Sequence, residues 1–204
     1  MLHMHSEKRT AVFTYLVVLL LCIAWLGCAV LVPILEAARA AQVAAAPGNS
    51  GGPGWWMAPL LLRAAYHMVC HQIPERSVWL DGRPMAVCAR CFGIYFGYLL
   101  GLIVYPFSGR LARVDNPRRI GLILALVPLG VDFIGGYTGL FHNSATSRVI
   151  TGMIAGGAGV PYTMPGLVST ADTLLGSTGA LGRIRHSRLF SHGSLAISGG
   201  PTGE

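Results

Sequence analysis

Apolar and polar positions alternate along this chain in long blocks, not in single residues. From Ala11 to Leu35 no charge appears. About 20 apolar residues at 1.5 Å each cross a ~30 Å hydrocarbon core, so this run predicts a membrane-spanning helix. Lys8 and Arg9 precede it and an alanine-rich stretch, Ala37 to Ala46, follows. A secretory signal core holds only about 7–15 residues, so the run reads as a retained anchor and not as a cleaved leader. Pro47 to Gly54, "PGNSGGPG", has the composition of a flexible linker. The next stretch, "WWMAPLLLRAAYHMVCH" from Trp55, is apolar but short and is interrupted by Pro59 and Arg63. It predicts an interfacial helix with Trp55 and Trp56 at headgroup depth.

A second crossing is expected from Val87 to Phe107 and a third from Ile120 to Gly136. Val149 to Leu167 gives a weaker fourth, broken by Pro161 and Pro165. Beyond Ser169 the chain turns Gly/Ser-rich and basic, with Arg183, Arg185 and Arg188, and predicts a loose tail. The expected organisation is an anchor and linker (1–54), a membrane domain (55–168) and a flexible tail (169–204). The fold class is all-α: an integral membrane bundle of about four transmembrane helices plus one interfacial helix.

Composition supports lipid as the main solvent. Only 11% of the 204 residues are charged while 53% are hydrophobic; soluble domains carry about 25% charged residues. The net charge of +7 is gathered in short clusters between apolar runs, the pattern of cytoplasmic loops, so nucleic acid is not an expected partner. Ser108 to Arg119 holds four arginines against one aspartate and is expected inside the cell. Alternation then places both termini in the cytoplasm and the Cys/His cluster and the loop from Tyr137 to Arg148 outside, in a multi-pass protein of the cell membrane.

Gly93, Gly97 and Gly101 recur every fourth residue, and Gly152 and Gly156 repeat the spacing. Such faces let membrane helices approach until backbones touch. They predict a compact bundle and offer a route to homo-oligomers.

The chemistry is concentrated between Tyr66 and Cys91. Cys70-His71 and Cys88-x-x-Cys91 form two donor pairs separated by sixteen residues, with "DGRP", Asp81 to Pro84, as the turn between them. Two pairs joined by a loop of this length suit a tetrahedral site for zinc or a similar transition metal. His67 stands four residues before His71 and is a further candidate. Three other readings stay open. Cys88 and Cys91 at a helix start suit a thiol–disulfide oxidoreductase or a structural disulfide, or the thiols are simply buried. Cys22 and Cys28, inside the first apolar run, read as small hydrophobes.

"VCHQIPERS" (Val69 to Ser77) and "VCARCFGIYFG" (Val87 to Gly97) resemble the signature of a prokaryotic membrane-protein family, domain of unknown function 2085. In that family a proline–aspartate helix and an R-x-x-T-G segment follow; "PLGVD" (Pro128 to Asp132) and "RVITG" (Arg148 to Gly152) are similar. The resemblance covers about residues 60–160. It implies a multi-helix membrane protein and brings no activity with it. A glutamine that the family carries shortly after the aspartate is missing here, where the chain reads "FIGGY".

Several charged and polar residues accompany the cysteines. Asp132 falls in the outer third of the third crossing, where a carboxylate needs a partner or a task. Arg148 opens the fourth crossing at the same depth, so a buried Asp132–Arg148 pair and a role beside a metal are both expected readings. Asp132, Glu75 and Arg76 are the candidate catalytic residues. Gln72 is placed to orient a ligand, Arg90 lies between the two cysteines, and Tyr95 follows Cys91 by one helical turn. His142 reads as a surface histidine. The expected function is a membrane protein holding a zinc-like ion through Cys70, His71, Cys88 and Cys91. An enzyme would use the ion as Lewis acid or to activate water. The alternatives are the oxidoreductase and a non-catalytic scaffold or transporter subunit.

Overall fold

The computed structural model describes the backbone of residues 2–45, 57–108 and 119–191, and the side chains of 9–45, 57–108 and 119–175. The linker Pro47 to Gly54, Trp55, Trp56 and most of the arginine-rich loop lie outside the described residues.

Among the described residues are five α-helices and one hairpin: α1 (Leu2–Ala45), α2 (Ala58–His67), β1 (Ser77–Leu80), β2 (Arg83–Cys88), α3 (Ala89–Val104), α4 (Arg119–Tyr137) and α5 (Ala145–Ser191). α1 overruns the apolar stretch because alanine, the strongest helix former, continues it to Ala45. α2 has ten residues, too few to cross a bilayer. The strands pair antiparallel, with Leu80 opposite Arg83 and Ser77 opposite Cys88. Asp81 and Gly82 between them take φ values of 49° and 71°. Asp-Gly tolerates this double left-handed turn, whose twist matches that of the flanking strands.

Among the described residues three helices are long and apolar enough to cross a membrane: α1 from Arg9, α3 with its 3₁₀ extension to Ser108, and α4. The fourth expected crossing lies in α5, which falls below that level because Gly, Ser and Thr dilute its apolar content. The same helix continues through Ser169, where a loose tail was the expectation, and ends at Ser191. Leu20 and Leu21 on α1 and Leu124 and Ile134 on α4 are exposed. Apolar surface of that extent is foreign to a soluble monomer and normal against lipid. The chain is an all-α membrane bundle carrying one small hairpin.

Two cores hold it together. Leu102, Tyr105, Val160 and Met164 pack between α3 and α5 against Tyr15 and Leu19 of α1. At the other end Ala29 and Val32 of α1 meet Tyr66, Cys70, Ala86 and Val87. There the Tyr66 hydroxyl donates to the Trp25 carbonyl, and the two rings lie 4.5 Å apart. Burial first, then the neighbouring Cys28 and Tyr95, push the Tyr66 phenol up to about 12. Arg63 of α2 clamps this end: its Nε and Nη2 donate to Glu36 of α1 at 2.6 and 2.9 Å, and Nη2 also reaches the Pro84 carbonyl of β2 at 2.9 Å.

The glycine faces meet each other inside one chain. A Cβ at Gly93 or Gly97 would enter the backbone of Val149 or Met153, and one at Gly152 or Gly156 would strike the carbonyl of Arg90 or Ile94. α3 and α5 thus use these faces on one another.

Candidate metal centre and its surroundings

Three short segments converge at the hairpin end of the bundle. α2 ends at His67, and a turn through Met68 and Val69 folds Cys70 back beneath Tyr66, whose carbonyl accepts the Cys70 amide at 2.9 Å. β2 delivers Cys88 directly to the N-cap of α3. Cys91 follows three residues later, so both point from the same side of the first turn. The sulfurs of Cys70, Cys88 and Cys91 all lie within 4.8 Å of one another. Cys70 is buried and the other two are half-buried, with no disulfide among them.

The group is electrostatically asymmetric. Hydrogen bonds from the Cys88 and Cys91 thiols, joined by the amides of Cys88 and Gln72, hold the Cys70 thiol well below its ordinary value against the opposing effect of burial. The Cys88 amide stands 3.2 Å from the Cys70 sulfur. Soft, polarizable donors in this density suit thiophilic ions and do not suit hard ones such as magnesium or calcium.

The histidines depart from expectation. His71 is exposed and its ring is not part of the converging group. The chain is non-helical from Cys70 to Ile73, so neighbouring side chains point apart and Cys70 turning inward sends His71 outward. His67 is exposed on α2 and also stays outside the group. Gln72 adopts φ 50°, a costly value for a residue with a side chain. Its amide donates to the Arg63 carbonyl at 2.6 Å, which fixes that bend. Tyr95 packs beside the cluster, edge-on to Trp25 at 6.2 Å.

Asp132 is buried, and its partner is Arg90, not Arg148. Arg90 Nη2 donates to Oδ2 at 2.5 Å, the Ser147 hydroxyl donates to Oδ1 at 2.6 Å, and Asn143 Nδ2 stands 3.3 Å from Oδ2. Arg148 is linked indirectly: Nε and Nη2 donate to Asn143 Oδ1 at 3.1 and 2.6 Å. The glycine contact explains the exchange of partners, because Gly152 seats the backbone of Arg90 on α5 near Ser147. Glu75 and Arg76 are exposed on the 3₁₀ turn Pro74–Arg76, and neither carboxylate, Glu75 or Asp132, joins the cysteine group. His142 is exposed and likewise stays outside that group. Sequence reasoning missed Glu36, Asn143 and Ser147. A lone glutamate at the end of an apolar run was the one available signal, for Glu36 alone.

A family model described as "Predicted membrane protein (DUF2085)" matches residues 70–161. An uncharacterized protein of Methanocaldococcus jannaschii is 45% identical over 111 residues, covering 54% of this chain and 71% of the relative. The chain belongs to this family. A second relative, an uncharacterized protein of Methanothermobacter thermautotrophicus, is 33% identical over 97 residues, 45% of this chain and 80% of that protein. No solved structure matches. The family segment opens on Cys70 and encloses Cys88, Cys91, Asp132 and Arg148, so the cysteine group and the buried carboxylate both lie within it.

Proposed function

We propose that this membrane protein binds one thiophilic metal ion, zinc or a similar transition metal, through Cys70, Cys88 and Cys91 at the edge of its helical bundle. The observation that carries the reading is the mutual approach of three sulfurs, one from the turn after α2 and two from the start of α3. In a tetrahedral thiolate site with Zn–S of about 2.3 Å, the sulfurs stand about 3.8 Å apart, within the spacing found here. A two-cysteine redox centre has no use for a third sulfur in that position, and a buried inert thiol needs no partners.

With His71 turned outward, three protein ligands leave a fourth position for water or substrate, which is the coordination pattern of catalytic and transfer sites. The arginine-rich loop supports a cytoplasmic side for the α3–α4 connection and so an extracytoplasmic side for the cysteines. On that side a bound ion would protect the thiolates from oxidation.

The test is elemental analysis of detergent-purified protein, followed by cobalt substitution. About one ion per chain and intense sulfur-to-cobalt charge-transfer bands are expected, both lost in Cys70→Ser and Cys88→Ser. Metal-free protein with a reversible Cys88–Cys91 disulfide would replace this reading with the oxidoreductase.

A further inference from the structure

A partly enclosed recess opens where Arg90 leaves the first turn of α3, lined by Arg76, Arg90 and Arg148 together with Asn143, Phe133 and Tyr137. Its three guanidinium groups come from three places: the 3₁₀ turn after Cys70, the first turn of α3 and the first turn of α5. No carboxylate is among the residues that line it. Asp132 pairs with Arg90, and among the described residues neither Arg76 nor Arg148 has an ion-pair partner. Arg148 is oriented by the neutral side chain of Asn143. Arg90 Nε is buried without a hydrogen-bond partner. Buried donors without partners are rare in folded proteins, and each calls for a reason.

We infer that this recess binds a phosphate-type oxyanion, held between Arg76 and Arg148 with Arg90 at its base. A flat carboxylate satisfies one arginine fork. Arg90 and Arg148 have part of their donor sets committed, to Asp132 and Asn143; the donors that remain, with those of Arg76, come from three different elements and suit a tetrahedral group with several charged oxygens. The first turns of α3 and α5 and the last turn of α4 line this end, so two helix N-termini act against one C-terminus and the balance is positive. The anion comes either from a lipid headgroup, since the recess sits where α3 begins and α4 ends, or from soluble phosphate. The inference does not depend on metal occupancy, because no cysteine lines the recess.

Equilibrium dialysis of detergent-purified protein against radiolabelled inorganic phosphate tests the soluble source. Native mass spectrometry of protein released from phosphatidylglycerol nanodiscs, with phosphatidylcholine as comparison, tests the headgroup. Saturable binding is expected in at least one arm. Arg76→Gln, at an exposed side chain with no ion pair among the described residues, should weaken it at least about tenfold, as should Arg148→Gln. Arg119→Gln, at the opposite end of α4, should leave it unchanged. Binding of free phosphate identifies a soluble ligand, and retention of phosphatidylglycerol alone identifies a headgroup. Absence of binding in both arms, or binding that survives the Arg76→Gln/Arg148→Gln double variant, overturns the inference.

Discussion

Arg90 and Asp132 are forty-two positions apart in sequence and meet through one short charged hydrogen bond. With Ser147 and Asn143 on the same carboxylate, this contact ties the starts of α3 and α5 to α4. Asp132 is thus the fixed point around which the cysteine end of the bundle is arranged, and its oxygens are committed to structure.

Removing one side of a buried ion pair strands the other, which typically costs about 3–5 kcal/mol. Asp132→Ala should therefore lower the thermal unfolding midpoint of the detergent-solubilised protein sharply. Arg90→Met added to Asp132→Ala should recover part of the loss, since the stranded charge is gone. A double-mutant cycle read from denaturant midpoints gives the coupling. Additive single and double effects would show that the pair is energetically silent.

The α3–α5 contact makes a contrasting prediction about glycines. Gly97→Val would drive a side chain into the Met153 backbone, and the helix pair should separate, leaving little monodisperse protein on size-exclusion chromatography. Gly130 on α4 has nothing within 4 Å of an added Cβ. Gly130→Ala should be neutral or stabilise by roughly 0.5–1 kcal/mol through lower chain entropy.

Tyr66 predicts an alkaline limit. Its phenol is raised to about 12 by burial, so the folded state keeps a proton that the unfolded chain releases near 10. The stabilising contribution is present below pH 10 and is lost as pH rises through about 12. Tyr66→Phe should be less stable by about 1 kcal/mol at neutral pH, through the hydrogen bond lost to Trp25. It should also show a shallower decline in unfolding midpoint between pH 10 and 12.

The metal reading carries its own pH signature. Thiolate ligands bind metal only after losing their protons, so occupancy should fall as pH falls. Dialysis at stepwise lower pH, with the ion counted by mass spectrometry, should show release within the mildly acidic range and uptake on return to neutrality. Chelation at neutral pH should lower the unfolding midpoint of wild-type protein and leave Cys88→Ser unmoved. Equal responses of the two proteins would argue that no ion is held there.

Much of this fold is visible in the residues because the signals are local. Long apolar runs mark α1, α3 and α4, of which only the first is free of charge; Asp81-Gly82 announces its own turn, and glycines four apart announce a close helix contact. The meeting of Cys70 with Cys88 and Cys91 is legible for a related reason: a hairpin of known register joins them. What the residues do not disclose is direction. Nothing in "CHQ" says which of two adjacent side chains turns inward, because that depends on the bend at Gln72, which the Arg63 carbonyl stabilises from nine positions away. The choice between Arg90 and Arg148 for Asp132 is equally hidden. It follows from how α3 settles on α5, a long-range packing outcome that spacing along the chain cannot encode. The extent of α5 was obscured for a different reason, since Gly and Ser raise the cost of helix without forbidding it.

The interlocked glycines of α3 and α5 also bear on how the molecule is made. α3 leaves the ribosome before its matching helix exists, and α4 must be synthesised in between. Until α5 arrives, the notched side of α3 has only lipid to lie against, and acyl chains fill such grooves poorly. The other side of α3 is already placed, because Tyr95 meets Trp25 of α1 and Cys88 joins the helix to β2. Closure of the α3–α5 seam is in this sense the late event, coming after the stretches that carry Cys70, Cys88 and Cys91 have been made.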